Sequence, residues 1–194
     1  MKPVRVVTGR VAALDRANVD TDQIIPKQFL KRIERTGFGE FLFWEWTKDP
    51  EFPLRRPEFQ GAPILAAGRN FGSGSSREHA AWAIQDHGYE AVIAPSFSDI
   101  FKANCDMIGL LAVELDNASV RELLDRAPDE ATVDLERCMV TLPSGREVAF
   151  AIGDEVRERL LNGWDEIALT ERRMDVIERY ERERERTGPN VLAL

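Results

Sequence analysis

An α/β fold with a mixed sheet, parallel at its centre, is predicted by three features of the sequence. Short apolar runs alternate with helical segments between residues 62 and 126, the order expected of strands that pair in parallel through covering helices. Two apolar runs flank Pro143-Ser144-Gly145-Arg146, which has the composition of a hairpin turn. Highly charged helical segments then close the chain.

Residues 4–14 are rich in β-branched side chains and read as the first strand, ending in the polar, turn-forming Asn18-Val19-Asp20-Thr21-Asp22. Residues 28–60 have no clean period. They hold Phe29, Phe38, Phe41, Phe43, Trp44, Trp46, Phe52 and Phe59 among breakers such as Gly37, Gly39, Pro50, Pro53 and Pro57. So many rings need covering, by the core or by a partner. Residues 62–67 form the second strand, and a glycine loop leads to a helix over 77–87, beginning near Ser76 and capped by Gly88. Strands are expected at 91–94 and 110–115, and helices at 99–108 and 120–126. Two strands, 132–142 and 147–152, should form the hairpin, and helices are expected at 154–161 and 166–186, the latter stopped by Gly188-Pro189. The alternating charges of residues 178–186 fit a solvated helix face with i,i+4 pairs.

The 194 residues suffice for one core, so a single domain over 1–194 is expected, with an aromatic-rich extension at 28–60 and a helical segment at 154–187. With 26 basic against 34 acidic side chains the net charge is -8, which disfavours nucleic acid as a partner. No run approaches the roughly 20 apolar residues of a membrane span. The start, Met1-Lys2-Pro3-Val4-Arg5, lacks the apolar core of a signal peptide, so a cytoplasmic location is expected. Cys105 and Cys138 lie far apart and outside any metal-ligand spacing, so no metal site is assigned to this chain. Two thiols are too few for an iron–sulfur cluster.

The chemistry points to residues 66–77. Gly68, Gly72 and Gly74 allow sharp turns and close approach of N–H groups to a ligand, and the following helix adds positive potential. Arg77 can grip a carboxylate with both arms, beside the hydroxyls of Ser75 and Ser76. A serine could act as a base there only if its alkoxide were stabilised and water excluded. The loop lacks a P-loop lysine and the Gly-x-Gly-x-x-Gly spacing, which leaves open a carboxylate site, a non-catalytic phosphate site, or a structural turn. His79 and His87 on the helix read as packing residues.

Four ordered motifs resemble the swivel-domain family of aconitase-like hydro-lyases, in its bacterial leucine-pathway branch. They are Asn18-Val19-Asp20-Thr21-Asp22-Gln23-Ile24-Ile25-Pro26; Phe29-Leu30-Lys31-Arg32 with Arg35-Thr36-Gly37-Phe38-Gly39; Asn70-Phe71-Gly72 with Gly74-Ser75-Ser76-Arg77-Glu78-His79-Ala80; and Val92-Ile93-Ala94-Pro95-Ser96-Phe97 with Asp99-Ile100-Phe101. The resemblance implies a β/β/α swivel domain that closes over a [4Fe–4S] cluster held by a separate large subunit. It also implies isomerisation of 2-isopropylmalate and 3-isopropylmalate by dehydration and rehydration. Carried over by position, Ser75 would be the base, Ser76 and Arg77 would hold a substrate carboxylate, Asp22 would line the site, and Phe29, Leu30, Lys31 and Arg32 would form the recognition loop. Ser73 stands where the family usually has cysteine, and residues 104–112 depart from its pattern. The second departure leaves room for a paralogue acting on another 2-alkylmalate, of methylmalate or homoaconitate type.

Overall fold

The computed structural model describes residues 1–187 except Ile33 and Arg35, with side chains to Arg184. Arg35 of the second motif and the Gly188-Pro189 stop lie outside the described residues.

Seven strands form one mixed sheet in the order β4-β3-β2-β1-β5-β6-β7. Strand β1 (Val6–Leu14) pairs in parallel with β2 (Ile64–Ala67), β2 with β3 (Ala91–Ala94), and β3 with β4 (Leu111–Glu114). On its other edge β1 pairs antiparallel with β5 (Glu130–Asp134), followed by β6 (Met139–Thr141) and β7 (Glu147–Ala149). The mixed α/β architecture expected from the sequence is therefore present, with parallel pairing from one edge to the middle strand. The hairpin extends the sheet.

Both faces of the parallel half are covered. All four residues of β2 are buried, and alternate ones face different cores, as the period of two requires. Leu65 and Ala67 join Leu14, Val92 and Ala94 under helices α2 (Glu78–His87) and α3 (Asp99–Ile108). Ile64 and Ala66 join Val11, Ile93, Leu111 and Val113 under α4 (Asn117–Arg126) and α5 (Asp154–Asn162). The aromatic segment belongs to the first core. Phe38, Phe43, Phe52 and Phe59 are buried in it, and Phe29, Phe41 and Trp46 pack at its margin. Its backbone runs through five short 3-10 turns between Lys27 and Phe59, and so it shows no helical or strand period.

Several expectations need correction. Asp20-Thr21-Asp22 is not a plain turn, because Asp20 caps a one-turn helix α1 (Thr21–Ile24) and exchanges hydrogen bonds with Gln23 in a capping box. Helix α2 begins at Glu78, one residue after the expected start at 77, with Arg77 at its N-cap position. The long strand expected over 132–142 is folded back on itself at 135–138. There Asp134 Oδ1 accepts the Arg137 N–H and Cys138 takes a positive φ of 53°, a turn made without glycine, proline or asparagine. Helix α4 starts at Asn117 because Asp116 caps it. The last helix is two, α6 (Glu166–Glu171) and α7 (Met174–Thr187).

Met1–Gly163 forms one compact unit and the described residues from Trp164 onward a second. The first holds the whole sheet. Within the second, the Arg172 guanidinium lies 3.6 Å over the Trp164 ring, and Arg182 pairs with Glu178 at 3.7 Å on an exposed face, as the charge pattern predicts.

Candidate active site

The loops leaving the C-terminal ends of β1, β2 and β3 meet at one end of the parallel sheet, the edge where α/β folds bind ligands. Backbone bonds tie the first two together. The N–H groups of Gly72 and Ser73 donate to the Val19 carbonyl at 2.8 and 3.1 Å, and the Thr21 N–H donates to the Ser73 carbonyl at 2.9 Å. Asn18 and Asn70 both adopt left-handed conformations, with φ 56° and 57°, and their side chains bond each other at 2.9 Å. Asparagine tolerates that backbone region better than most residues.

The third loop is stitched in through two serines. Ser96 Oγ accepts the Asn70 N–H at 2.9 Å. Ser98 caps α3 by accepting the Phe101 N–H, and its own hydroxyl donates to the Gly72 carbonyl at 2.6 Å. A Cβ on Gly72 would run into the Phe101 ring, and its φ of 74° is also unfavourable for other residues. Gly68 packs against the Arg16 backbone in the same way. The glycines of this loop therefore serve close packing of the three turns at 68 and 72.

What remains free is Gly74-Ser75-Ser76. All three are exposed, and among the described residues their N–H groups have no partner. Thr21 Oγ1 donates to the Ser75 carbonyl at 3.0 Å, so the backbone of Ser75 is pinned while its hydroxyl faces solvent. Thr21 sits in a motif legible from the sequence, but nothing in the sequence indicates that it reaches across 54 residues to Ser75.

Arg77 is the residue before α2 and its side chain is 15% exposed. Its guanidinium donates to both oxygens of Asp22, at 2.5 and 2.9 Å. That pairing holds the Asp22 carboxyl below the usual carboxylate range, helped by Lys27 and opposed by partial burial. Ser75, Ser76, Arg77 and Asp22 are thus brought to one place. Lys27, the first residue of the turn Lys27–Lys31, also lies beside Asp22. Phe29 and Leu30 are half-buried at the core margin, and Phe29 stacks on Phe41 at 4.0 Å. Lys31 and Arg32 are exposed.

His79 packs edge-on to Phe38 at 5.2 Å and against Trp82 at 4.6 Å. Burial lowers its pKa, so the ring is neutral at pH 7. The two cysteines do not fit an iron–sulfur cluster. Cys105 lies on the buried face of α3, in the first core, where burial raises its pKa and keeps it a thiol. Cys138 packs against the opposite core. Among the described residues no three His, Cys, Asp or Glu side chains are grouped to hold a metal ion.

The aconitase C-terminal domain family matches residues 1–118. The 3-isopropylmalate dehydratase small subunit of Rubrobacter xylanophilus is 57% identical, over 99% of this chain and all of that protein. The chain belongs to the 3-isopropylmalate dehydratase small-subunit family. The Bacillus subtilis protein of the same name is 47% identical over 95% of this chain and 97% of its own length. The crystal structure of 3-isopropylmalate dehydratase from Methanocaldococcus jannaschii superposes with a TM-score of 0.69 at 25% identity, covering 90% of this chain and 99% of that one. Small subunits of this family are aconitase-like hydro-lyase components. The mixed sheet described above is the aconitase C-terminal fold. No helix among the described residues is long and apolar enough to cross a membrane.

Proposed function

We propose that this chain is the small subunit of a hydro-lyase that interconverts 2-isopropylmalate and 3-isopropylmalate in leucine biosynthesis, and that residues 73–77 form half of an active site shared with a large subunit. The observation that carries this reading is the pinned, solvent-facing Ser75 beside free N–H groups and the Arg77 fork. Relatives 47–57% identical over nearly the whole chain carry the small-subunit name and support the substrate class.

In this reading Ser76 and the Arg77 donors that Asp22 leaves unoccupied hold a carboxylate of the substrate, Asp22 orients Arg77, and residues 29–32 recognise the alkyl end. Ser75 Oγ, as alkoxide, takes the proton from the substrate carbon while the electron pair forms the double bond and hydroxide leaves the neighbouring carbon. Returning proton and hydroxide with their positions exchanged gives the isomer. The N–H groups of 74–76 and the start of α2 would stabilise negative charge on the serine oxygen. A [4Fe–4S] cluster, held by the large subunit, would supply Lewis acidity toward the departing hydroxyl.

Mixing the purified chain with its large subunit tests this reading. Hydration of 2-isopropylmaleate should appear in the mixture and in neither protein alone. Activity of the isolated chain, or an inactive mixture of folded proteins, would overturn it.

A further inference from the structure

Helix α2 presents Arg77 at its start and grips the aromatic segment at its end. Asp86 Oδ2 accepts the Phe38 N–H at 2.9 Å. His87 Nδ1 lies 3.1 Å from the Gly39 carbonyl, which can only accept, so that nitrogen carries the proton. A Cβ on Gly39 would stand 2.6 Å from the Asp86 carbonyl carbon and the His87 nitrogen. The Phe38-Gly39 backbone therefore lies directly on the last turn of the helix, and glycine is required there.

From this clasp a run of contacts leads to the recognition segment. Glu40 pairs with Arg32 at 3.4 Å. The Arg32 guanidinium sits 5.7 Å from the Phe38 ring and 5.2 Å from the Phe41 ring, and Phe41 stacks on Phe29. Phe38 itself is fully buried and reaches back along α2 to His79 and Trp82.

We infer that Asp86 is a positioning residue for substrate recognition: it fixes residues 29–32 to the same helix that carries Arg77, so the alkyl end and the carboxylate end of one substrate are referenced to one rigid element. This rests on the reading that Arg77 binds a carboxylate and residues 29–32 the alkyl group. Asp86 touches neither.

The test uses the complex with the large subunit and compares 2-isopropylmalate with 2-methylmalate. Asp86→Ala strands the Phe38 N–H, and KM for 2-isopropylmalate should rise about tenfold with kcat within about twofold. The preference for the larger alkyl group should shrink. Asp86→Asn keeps an acceptor oxygen and should restore both. His87→Phe removes only the Gly39 bond and should raise KM by a smaller factor, which keeps the inference testable if Asp86→Ala fails to fold. An unchanged KM in the folded variants would overturn it, as would a parallel fall of kcat for both substrates that Asp86→Asn does not rescue. Ser75→Ala in the same assay separates the two readings: if that variant stays active, the shared-site proposal fails, whatever the Asp86 variants show.

Discussion

Arg77 already holds a carboxylate in the free chain, because Asp22 fills its fork with two parallel hydrogen bonds. A bidentate pair with Arg77 largely buried and Asp22 half-exposed leaves the acid strongly biased to its ionised form. The Asp22 carboxyl is expected to titrate below the ordinary carboxylate range by NMR, and Arg77→Ala should return it to that range. Since the folded value lies below the unfolded one, this pair stabilises the fold at neutral pH, and its contribution is lost as pH falls through the folded value. A normal Asp22 titration in the intact chain would refute the pairing. The sequence shows Ser75, Ser76 and Arg77 openly, since three glycines and a following helix are local signals. It shows Asp22 as a polar turn residue that the resemblance places at the site, but not its bond to Arg77, because that partner is 55 positions away. The clasp of Asp86 and His87 on Phe38-Gly39 is hidden for the same reason, although Gly39 inside an aromatic run was a visible hint of close backbone contact.

The elements best read from sequence are those whose period and caps agree. Strand β3 and helix α3 fall at 91–94 and 99–108 as expected, helped by Ser98 before the helix and Gly109 after it. Periodicity fails where the backbone has no period. The 3-10 turns between Lys27 and Phe59 hang on buried rings, and Phe43 is held at a φ of 52° that no sequence rule would assign to it. Two substitutions test the elements that shape the site. Gly72→Ala places a methyl against Phe101 in a left-handed conformation and should destabilise the chain by roughly 2–4 kcal/mol, read as a Tm lowered by roughly 5–15 °C. Asp20→Ala removes the capping box of α1 and should lose about 1 kcal/mol, with a larger fractional loss of activity because Thr21 and Asp22 sit on that turn. A Gly72→Ala chain with unchanged Tm would show that the three loops are not packed as described.

Across the molecule, the order β4-β3-β2-β1 follows from strands and helices alternating along the chain, with crossovers through α2 and α3. The other half was less legible. A hairpin was expected, but the turn at 135–138 has no turn residues, so nothing marked β5 and β6 as two strands or placed β5 beside β1. The sheet brings three strand ends to one edge and leaves there an exposed serine, N–H groups without a protein partner, and an arginine whose Nη1 and Nη2 are already paired with Asp22; among the described residues no cysteine group could hold a cluster. In the proposed function the remaining chemistry is supplied by the large subunit. The most direct measurement is kcat of the Ser75→Ala chain assembled with its large subunit, alongside the thermal unfolding of that chain. The account predicts a loss on the order of 10²–10⁴-fold with Tm unchanged, whereas kcat within about twofold of the unaltered complex would contradict it.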